Sequence, residues 1–367
     1  DFVSTKRKDC ERNTYSLNKN QIKMKNKVIV KQVVGIDISM DSFYACYMVL
    51  NQNGTITIKG SKSFENSLSG MKTFLEWCKK RFRTPDCPVV YVMEATGVYY
   101  EELAYYLYER EQKVSVQLAQ KLKYYAKSNN LKTKTDKVDA RMIASFGIEK
   151  NLSESKLWIP PSREFKVIRD LSREHSSLKQ DLTAAKSQLH ALERGHQTYK
   201  KVIKMKKAMI KFYEVQLVNI EKEIKKLVKK DENLDFKISN IETVKGLGFI
   251  TIIKIIAEVN GFLLFKNIAQ VVSYAGLDVV ENQSGKHKGK AKISKKGNAR
   301  IRAALYMPAM SACSYNATLK NFYSRVNEGR SIKMQGLVAV MRKLLVLIYT
   351  LWKKETTYIE NYNVSPA

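Results

Sequence analysis

The sequence predicts a mixed α/β domain, then a long antiparallel coiled coil, then a mostly α-helical domain carrying a helix-hairpin-helix-like element. Three observations predict it. Short apolar runs suited to buried strands crowd residues 29–150 and alternate with helical spacing. Apolar residues at steps of four and three run through residues 178–227. A glycine pair then sits between two segments of helical pattern near residue 246. At 367 residues the chain is too long for one core.

Residues 1–28 are polar, rich in Lys and Asn, and lack an apolar period, so they read as a disordered basic arm. "VVGIDI" (33–38) and "FYACYMVL" (43–50) suit buried strands. "NQNG" (51–54) ends in Asn-Gly, a hairpin signal, and "TITIKG" (55–60) alternates as a returning strand should. Residues 66–82 have helical spacing, "VVYVME" (89–94) reads as a buried strand, 98–110 as an aromatic-rich helix and "KVSVQL" (113–118) as a fifth strand. Three antiparallel strands followed by alternating strands and helices give a mixed sheet covered on both faces. This first domain spans 29–155.

The region 156–237 is the coiled coil. Its first seam is Leu178, Leu182, Ala185, Leu189 and Leu192; its second is Ile210, Tyr213, Leu217, Ile220, Ile224 and Leu227, with Gly195 as the break. Between Tyr199 and Lys230 stand eleven Lys and three Glu, either a solvated face or a basic arm along a nucleic-acid backbone. The third domain covers 238–355, with a tail at 356–367. In its "VKGLG" (244–248), Gly246 and Gly248 suit a tight turn between helices, either an ordinary connection or one whose main-chain N–H groups hold a phosphate.

The net charge is +30, with 65 Lys+Arg against 35 Asp+Glu. So large a field attracts polyanions, DNA or RNA first, with an anionic membrane surface as the rival. No run of 18 uncharged apolar residues and no signal peptide is evident, so a cytoplasmic, nucleoid-associated protein is expected. Five scattered cysteines without a CxxC pair argue against a disulfide framework or a zinc site.

Four acids stand out against this basic background. Asp37 lies in the first apolar strand and Glu94 ends the fourth; a carboxylate there is costly unless paired or metal-bound. Asp136 and Asp139, in "TKTDKVDARMIA", are three apart at the mouth of a helix and share a face. Each alone has an ordinary reading: a cap, an ion pair, a solvated strand end. If the first and fourth strands are neighbours, all four converge. A divalent cation, Mg²⁺ with Mn²⁺ as a substitute, would relieve their repulsion, and two such ions can clamp the oxygens of a phosphodiester.

From Gln283 to Arg302 there are six Lys, two Arg and no acid. Ser284 heads this stretch, with Lys286, Lys288, Lys290, Lys292, Lys295, Lys296, Arg300 and Arg302 as candidate phosphate contacts. Ringed by cations, a serine suits attack on a phosphate; the loop equally suits phosphate binding alone. His287 is the only histidine nearby. The tyrosines at 99, 100, 105, 106, 124 and 125 are either core or stacking platforms for bases.

"VGIDIS", "MEATGVYYEEL" and "KTDKVDARMIA" resemble the motifs of DEDD-type insertion-sequence transposases. The likeness runs from about residue 33 to about residue 352, through "LWIPPSREFKVIRDLSREHSSL" and "VKGLG…SYAGLDVVENQSGKHKGKAKISKKGNARIRAALYMPAMSA". It implies a ribonuclease-H/RuvC-like first domain with Asp37, Glu94, Asp136 and Asp139 as the metal-binding set. It implies that Ser284, in "QSG", attacks DNA and forms a covalent phosphoserine intermediate. It further implies guidance by a structured RNA encoded by the element, pairing with donor and target DNA, and dimers assembling to a tetramer whose active sites are shared between subunits. The N-terminal arm is longer, and the second coiled-coil helix more lysine-rich, than the family pattern. Two alternatives remain on the residues: a metal-dependent, junction-resolving nuclease that uses water, and a nucleic-acid-binding scaffold without chemistry.

Overall fold

β1 (Ile29–Ile38), β2 (Ser42–Asn51) and β3 (Ile56–Glu65) form an antiparallel meander, and β4 (Val89–Glu94) and β5 (Lys113–Gln117) extend it in parallel. The sheet order is β3-β2-β1-β4-β5. This computed structural model describes residues 28–360, apart from 83, 85–86, 96, 153–156, 198, 264, 282, 285–286 and 290–291. The N-terminal arm expected over 1–28 therefore lies almost wholly outside the described residues, as do Lys286, Lys290 and the end of the tail. The chain divides into two compact units, residues 1–160 and 161–367.

In the first unit the β2–β3 turn forms as its Asn-Gly requires. Gly54 takes a φ of +81°, and the Asn53 side chain accepts a hydrogen bond from the Thr55 N–H. One face of the sheet packs under α1 (Leu68–Lys79) and α2 (Glu101–Tyr108), where Phe43, Phe64, Phe74 and Trp77 interlock as an aromatic cluster. The opposite face packs under α3 (Ala119–Ser128) and α4 (Asp136–Glu149), with Val33, Val92, Ile143 and Phe146 buried between. Of the tyrosines, Tyr106 and Tyr125 are core, whereas Tyr99 and Tyr124 are exposed.

Glycine decides how closely α4 sits. A Cβ on Gly35 of β1 would lie 2.2 Å from the Ala144 nitrogen and 2.4 Å from the Ala140 carbonyl oxygen. On Gly147 it would lie 2.6 Å from Val33. Thus the start of α4 overlies the end of β1, and its end overlies the beginning of β1. Gly35→Ala should destabilise the first unit by about 3 kcal/mol, because the obstacle is backbone and cannot rotate away. A thermal melt of the variant against wild type checks this.

The second unit opens with α5 (Arg163–Arg194) and α6 (Lys200–Lys229), two long helices packed as a hairpin. Ser162 caps α5 by accepting from the Phe165 N–H, and Gly195 closes it. Cross-pairs fix the antiparallel direction: Lys186 with Glu214 at 2.7 Å, Glu193 with Lys207 at 2.8 Å, and His175 with Glu221 at 3.0 Å. Leu182, Ala185, Leu217 and Ile224 are buried along the expected seam. The outer face of α6 is not purely cationic, since Met205, Met209 and Phe212 are also exposed.

Ile168, Ile224 and Val228, at the base of this hairpin, belong to the same core as the helices that follow. Those are α7 (Glu232–Glu242), α8 (Phe249–Glu258), α9 (Ile268–Ala275), α10 (Ala299–Tyr315), α11 (Ala317–Asn327) and α12 (Met334–Lys354). Among the described residues α12 alone is long and apolar enough to cross a membrane, yet Val340, Leu344, Leu345 and Ile348 are fully buried in this core. It is the unit's central core helix.

Candidate active site and nucleic-acid interface

The parallel pairing of β1 with β4 runs to Ile36 opposite Met93, so Asp37 and Glu94 occupy the next positions at the same edge. α4 begins over that edge. Thr135 caps it by accepting from the Val138 N–H at 3.3 Å, and Asp136 and Asp139 fall in its first turn. A helix start favours acids, which accounts for Asp136 and Asp139 singly but not for Asp37 and Glu94 on strands.

The other three acids act on Asp37. Burial, then repulsion from Asp139, Asp136 and Glu94, pushes the Asp37 carboxyl up to about 6. Lys134 opposes the shift and is too weak to cancel it. Burial also pushes Asp139 up, again against Lys134 and with Asp136 adding to the rise. Lys134, from the same basic stretch as Asp136 and Asp139, is thus a cation acting on Asp37 and Asp139.

All four donors are oxygens, which suits a hard divalent cation. Their coupling, with Asp37 left short of counter-charge, fits such an ion in charge and chemistry. Among the described residues, however, no three Asp, Glu, His or Cys side chains stand close enough to share an ion as placed. The quartet is gathered but not closed, so its carboxylates would need to draw together to ligate.

Ser284 belongs to the second unit. The basic stretch expected as a loop instead contains a nested pair of short ladders. β6 (Val279–Val280) pairs with β9 (Lys292–Ile293), and within them β7 (Gln283–Ser284) pairs with β8 (His287–Lys288). Ser284 is exposed and stands opposite His287 in the register. The root is clamped: Ser294 donates from its N–H to the Asp278 carbonyl at 2.9 Å and from its Oγ to the Asp278 carboxylate at 2.5 Å.

The candidate phosphate contacts divide. Lys292, Lys295, Lys296 and Arg300 are exposed. Arg302 is half-buried and donates to the carbonyls of Ala275 at 2.8 Å and Gly297 at 3.3 Å, so its guanidinium supports the root of the hairpin. In the turn between α7 and α8, Gly246 takes a φ of +102° and packs where a Cβ would lie 2.8 Å from the Ala312 nitrogen. Gly248 caps α8 and faces open space.

A pairing missed by sequence reading ties this unit together. Glu258 ends the apolar α8 with its side chain 5% exposed, and Arg173 of α5 donates to it twice, at 2.7 and 3.0 Å. Asn298, the cap of α10, donates to the same carboxylate at 2.7 Å. Burial pushes the Glu258 carboxyl up, but the bonds from Arg173 and Asn298 together outweigh it and hold it below its usual range. Arg173→Ala should cost about 2 kcal/mol, less than a fully buried pair because the guanidinium is partly wet. A depressed carboxyl stabilises above its unfolded pKa and loses that contribution as pH falls through the folded value. The gap between variant and wild type should therefore shrink in acid, measured by denaturant melts across pH.

Acids on an α/β sheet and an exposed serine in a basic stretch suit a nucleic-acid-processing protein. Residues 34–195 match a DEDD-type transposase model, and residues 238–324 match one described as "Transposase IS116/IS110/IS902 family". The chain belongs to this IS110/IS116/IS902 family of transposases, enzymes of DNA recombination. It is similar to the pilin gene-inverting proteins of Moraxella lacunata and Moraxella bovis. Each is 28% identical over 335 residues, covering 89% of this chain and 98% of the relative.

Proposed function

We propose that this transposase cuts and rejoins DNA through two transesterifications, with Ser284 as nucleophile and the acid quartet as the seat of divalent ions. What supports the reading is the placing of Asp37 and Glu94 at one sheet edge, with Asp136, Asp139 and Glu94 near enough to add their repulsion to the burial that pushes Asp37 up to about 6. The mixed sheet order supports a ribonuclease-H/RuvC-like first domain.

In the first step the Ser284 Oγ bonds to phosphorus and its proton is released. The phosphorus–oxygen bond to one deoxyribose breaks, and that sugar leaves as a hydroxyl. In the second, a sugar hydroxyl of the strand being joined attacks the phosphoserine. The serine–phosphorus bond breaks, and the hydroxyl of Ser284 is restored. Mg²⁺, or Mn²⁺ in its place, supplies charge neutralisation at the phosphate when bound. Asp37, Glu94, Asp136 and Asp139 would hold it, while Lys292, Lys295, Lys296 and Arg300 attract the backbone. The partners are donor and target DNA and a structured guide RNA encoded by the element, with homo-oligomers sharing active sites between subunits.

The test is to mix the protein with guide RNA, DNA and Mg²⁺ and look for a protease-sensitive DNA–protein adduct. An adduct that forms without a divalent cation would sink the metal assignment. Cleavage without any adduct would favour the water-using nuclease, and no reaction under any metal the scaffold.

A further inference from the structure

A cavity of about 450 Å³ opens in the second unit between α5, α8 and α10. Its wall is built from Ser177, Lys179 and Gln180 of α5, Lys254 of α8 and Arg300 of α10. One acid borders it, Glu258, and that carboxylate is already taken by Arg173 and Asn298. Lys179, Lys254 and Arg300 are different: among the described residues none of their side chains makes a hydrogen bond or ion pair. Three cations and two neutral donors thus face one hollow whose only carboxylate is spent.

Lys179 and Arg300 are exposed at the mouth of the hollow, whereas Lys254 is half-buried within it. Burial, then the neighbouring Lys179, pushes the Lys254 ammonium below the usual lysine range, and Glu221 only partly offsets this. Lys254 stands in the middle of a largely apolar helix, where an ordinary packing role would suit an aliphatic side chain better. An anion with several acceptor oxygens would satisfy all three cations and the Ser177 and Gln180 donors together.

We propose that the hollow lined by Lys179, Lys254 and Arg300 is a phosphate-binding site that grips a nucleic-acid backbone at the root of the serine hairpin. The placement favours that source. Asn298, which caps α10 two residues before Arg300, bonds to Glu258 on the cavity wall and donates its N–H to the Tyr274 carbonyl at 2.7 Å. A strand held here is therefore fixed to the segment that leaves β9. The inference rests on the chain's membership of a DNA-handling family, and it does not depend on Ser284 or the acid quartet as catalysts.

The experiment uses the full chain and the variants Lys179→Gln and Lys254→Gln, with Lys72→Gln on the exposed face of α1 as control. Binding of labelled duplex DNA and of labelled RNA is followed by fluorescence anisotropy across a salt series. Each pocket variant should lower the slope of log affinity against log salt by about one and weaken binding roughly tenfold, with the control unchanged. In parallel, inorganic phosphate should raise the melting temperature of wild type above that in chloride at matched ionic strength, and should fail to do so in the variants. Without phosphate, Lys254→Gln should melt no lower than wild type, since it removes a repelled charge.

A changed salt slope identifies the backbone as the source. A phosphate-dependent shift without one still supports a phosphate site, for a small phosphorylated ligand. Unchanged slopes with no phosphate-dependent shift would overturn the proposal, as would a phosphate-free melt of Lys254→Gln below wild type. None of these readouts passes through strand cleavage, so the site and the catalytic reading can fail separately.

Discussion

Ser284→Ala protein binds its DNA with unchanged affinity, forms no protease-sensitive DNA–protein adduct, and loses recombination by at least about 10⁴-fold. That is the expected result if the exposed hydroxyl at the tip of β7 forms the covalent bond. The substitution deletes one oxygen from a side chain with no hydrogen bond among the described residues, so neither folding nor docking should suffer. The adduct assay, run beside a binding titration, separates chemistry from affinity. An adduct of normal yield in the alanine protein would move the nucleophile elsewhere.

Asp37→Asn should do two opposite things. It should reduce metal-dependent adduct formation by about 10³-fold, because one carboxylate of the quartet becomes a neutral amide. It should also stabilise the metal-free protein at pH 7 by about 1 kcal/mol, after discounting for solvent screening, or a few degrees in melting temperature. The sign follows from the direction of the shift. The folded Asp37 titrates at about 6, above its ordinary value. Protonation therefore favours the folded state, and that contribution is lost as pH rises between about 4 and about 6. Wild type should weaken across that window more than Asp37→Asn does, since Asp139, also raised by burial, remains in the variant. For the same reason adduct formation by wild type should fall below about pH 6, where the proton competes with the cation for Asp37. A variant that melts lower than wild type at pH 7 would mean that the quartet's repulsion is already relieved inside the protein.

Much of this fold was legible because its signals are local. Asn53-Gly54 marks a turn without help from the rest of the chain, and the heptad steps from Leu178 to Leu192 mark a seam wherever their partner lies. That Asp37 and Glu94 stand at one sheet edge was legible for a different reason: a carboxylate closing an apolar run has few destinations. The same reasoning is ambiguous, however, as Glu258 demonstrates. It too ends an apolar run, yet Arg173 neutralises it from 85 residues away. Nothing in the neighbourhood of either acid distinguishes a metal ligand from half of an ion pair, because the deciding partner is distant in sequence.

The hairpin around Ser284 was hidden for a related reason. Its strands are two residues each, too short for any alternation to register, and its basic composition reads as loop. Gly246 and Arg302 show the limit in another way. A glycine in a turn and an arginine among lysines both look like phosphate ligands, while Ala312 and the carbonyls of Ala275 and Gly297 give each a supporting task. Close approach and half-burial are properties of the assembled chain.

The two ends of the nested ladder, Asp278 and Ser294, are bonded side by side. Chain enters and leaves the helical core at one doorway, so insertions or deletions between them leave the packing of the helices untouched. Reach of the hydroxyl is thereby decoupled from the stability of its foundation. Relatives are free to diverge in the length of this finger, and with it in which bond they meet, without rebuilding anything beneath.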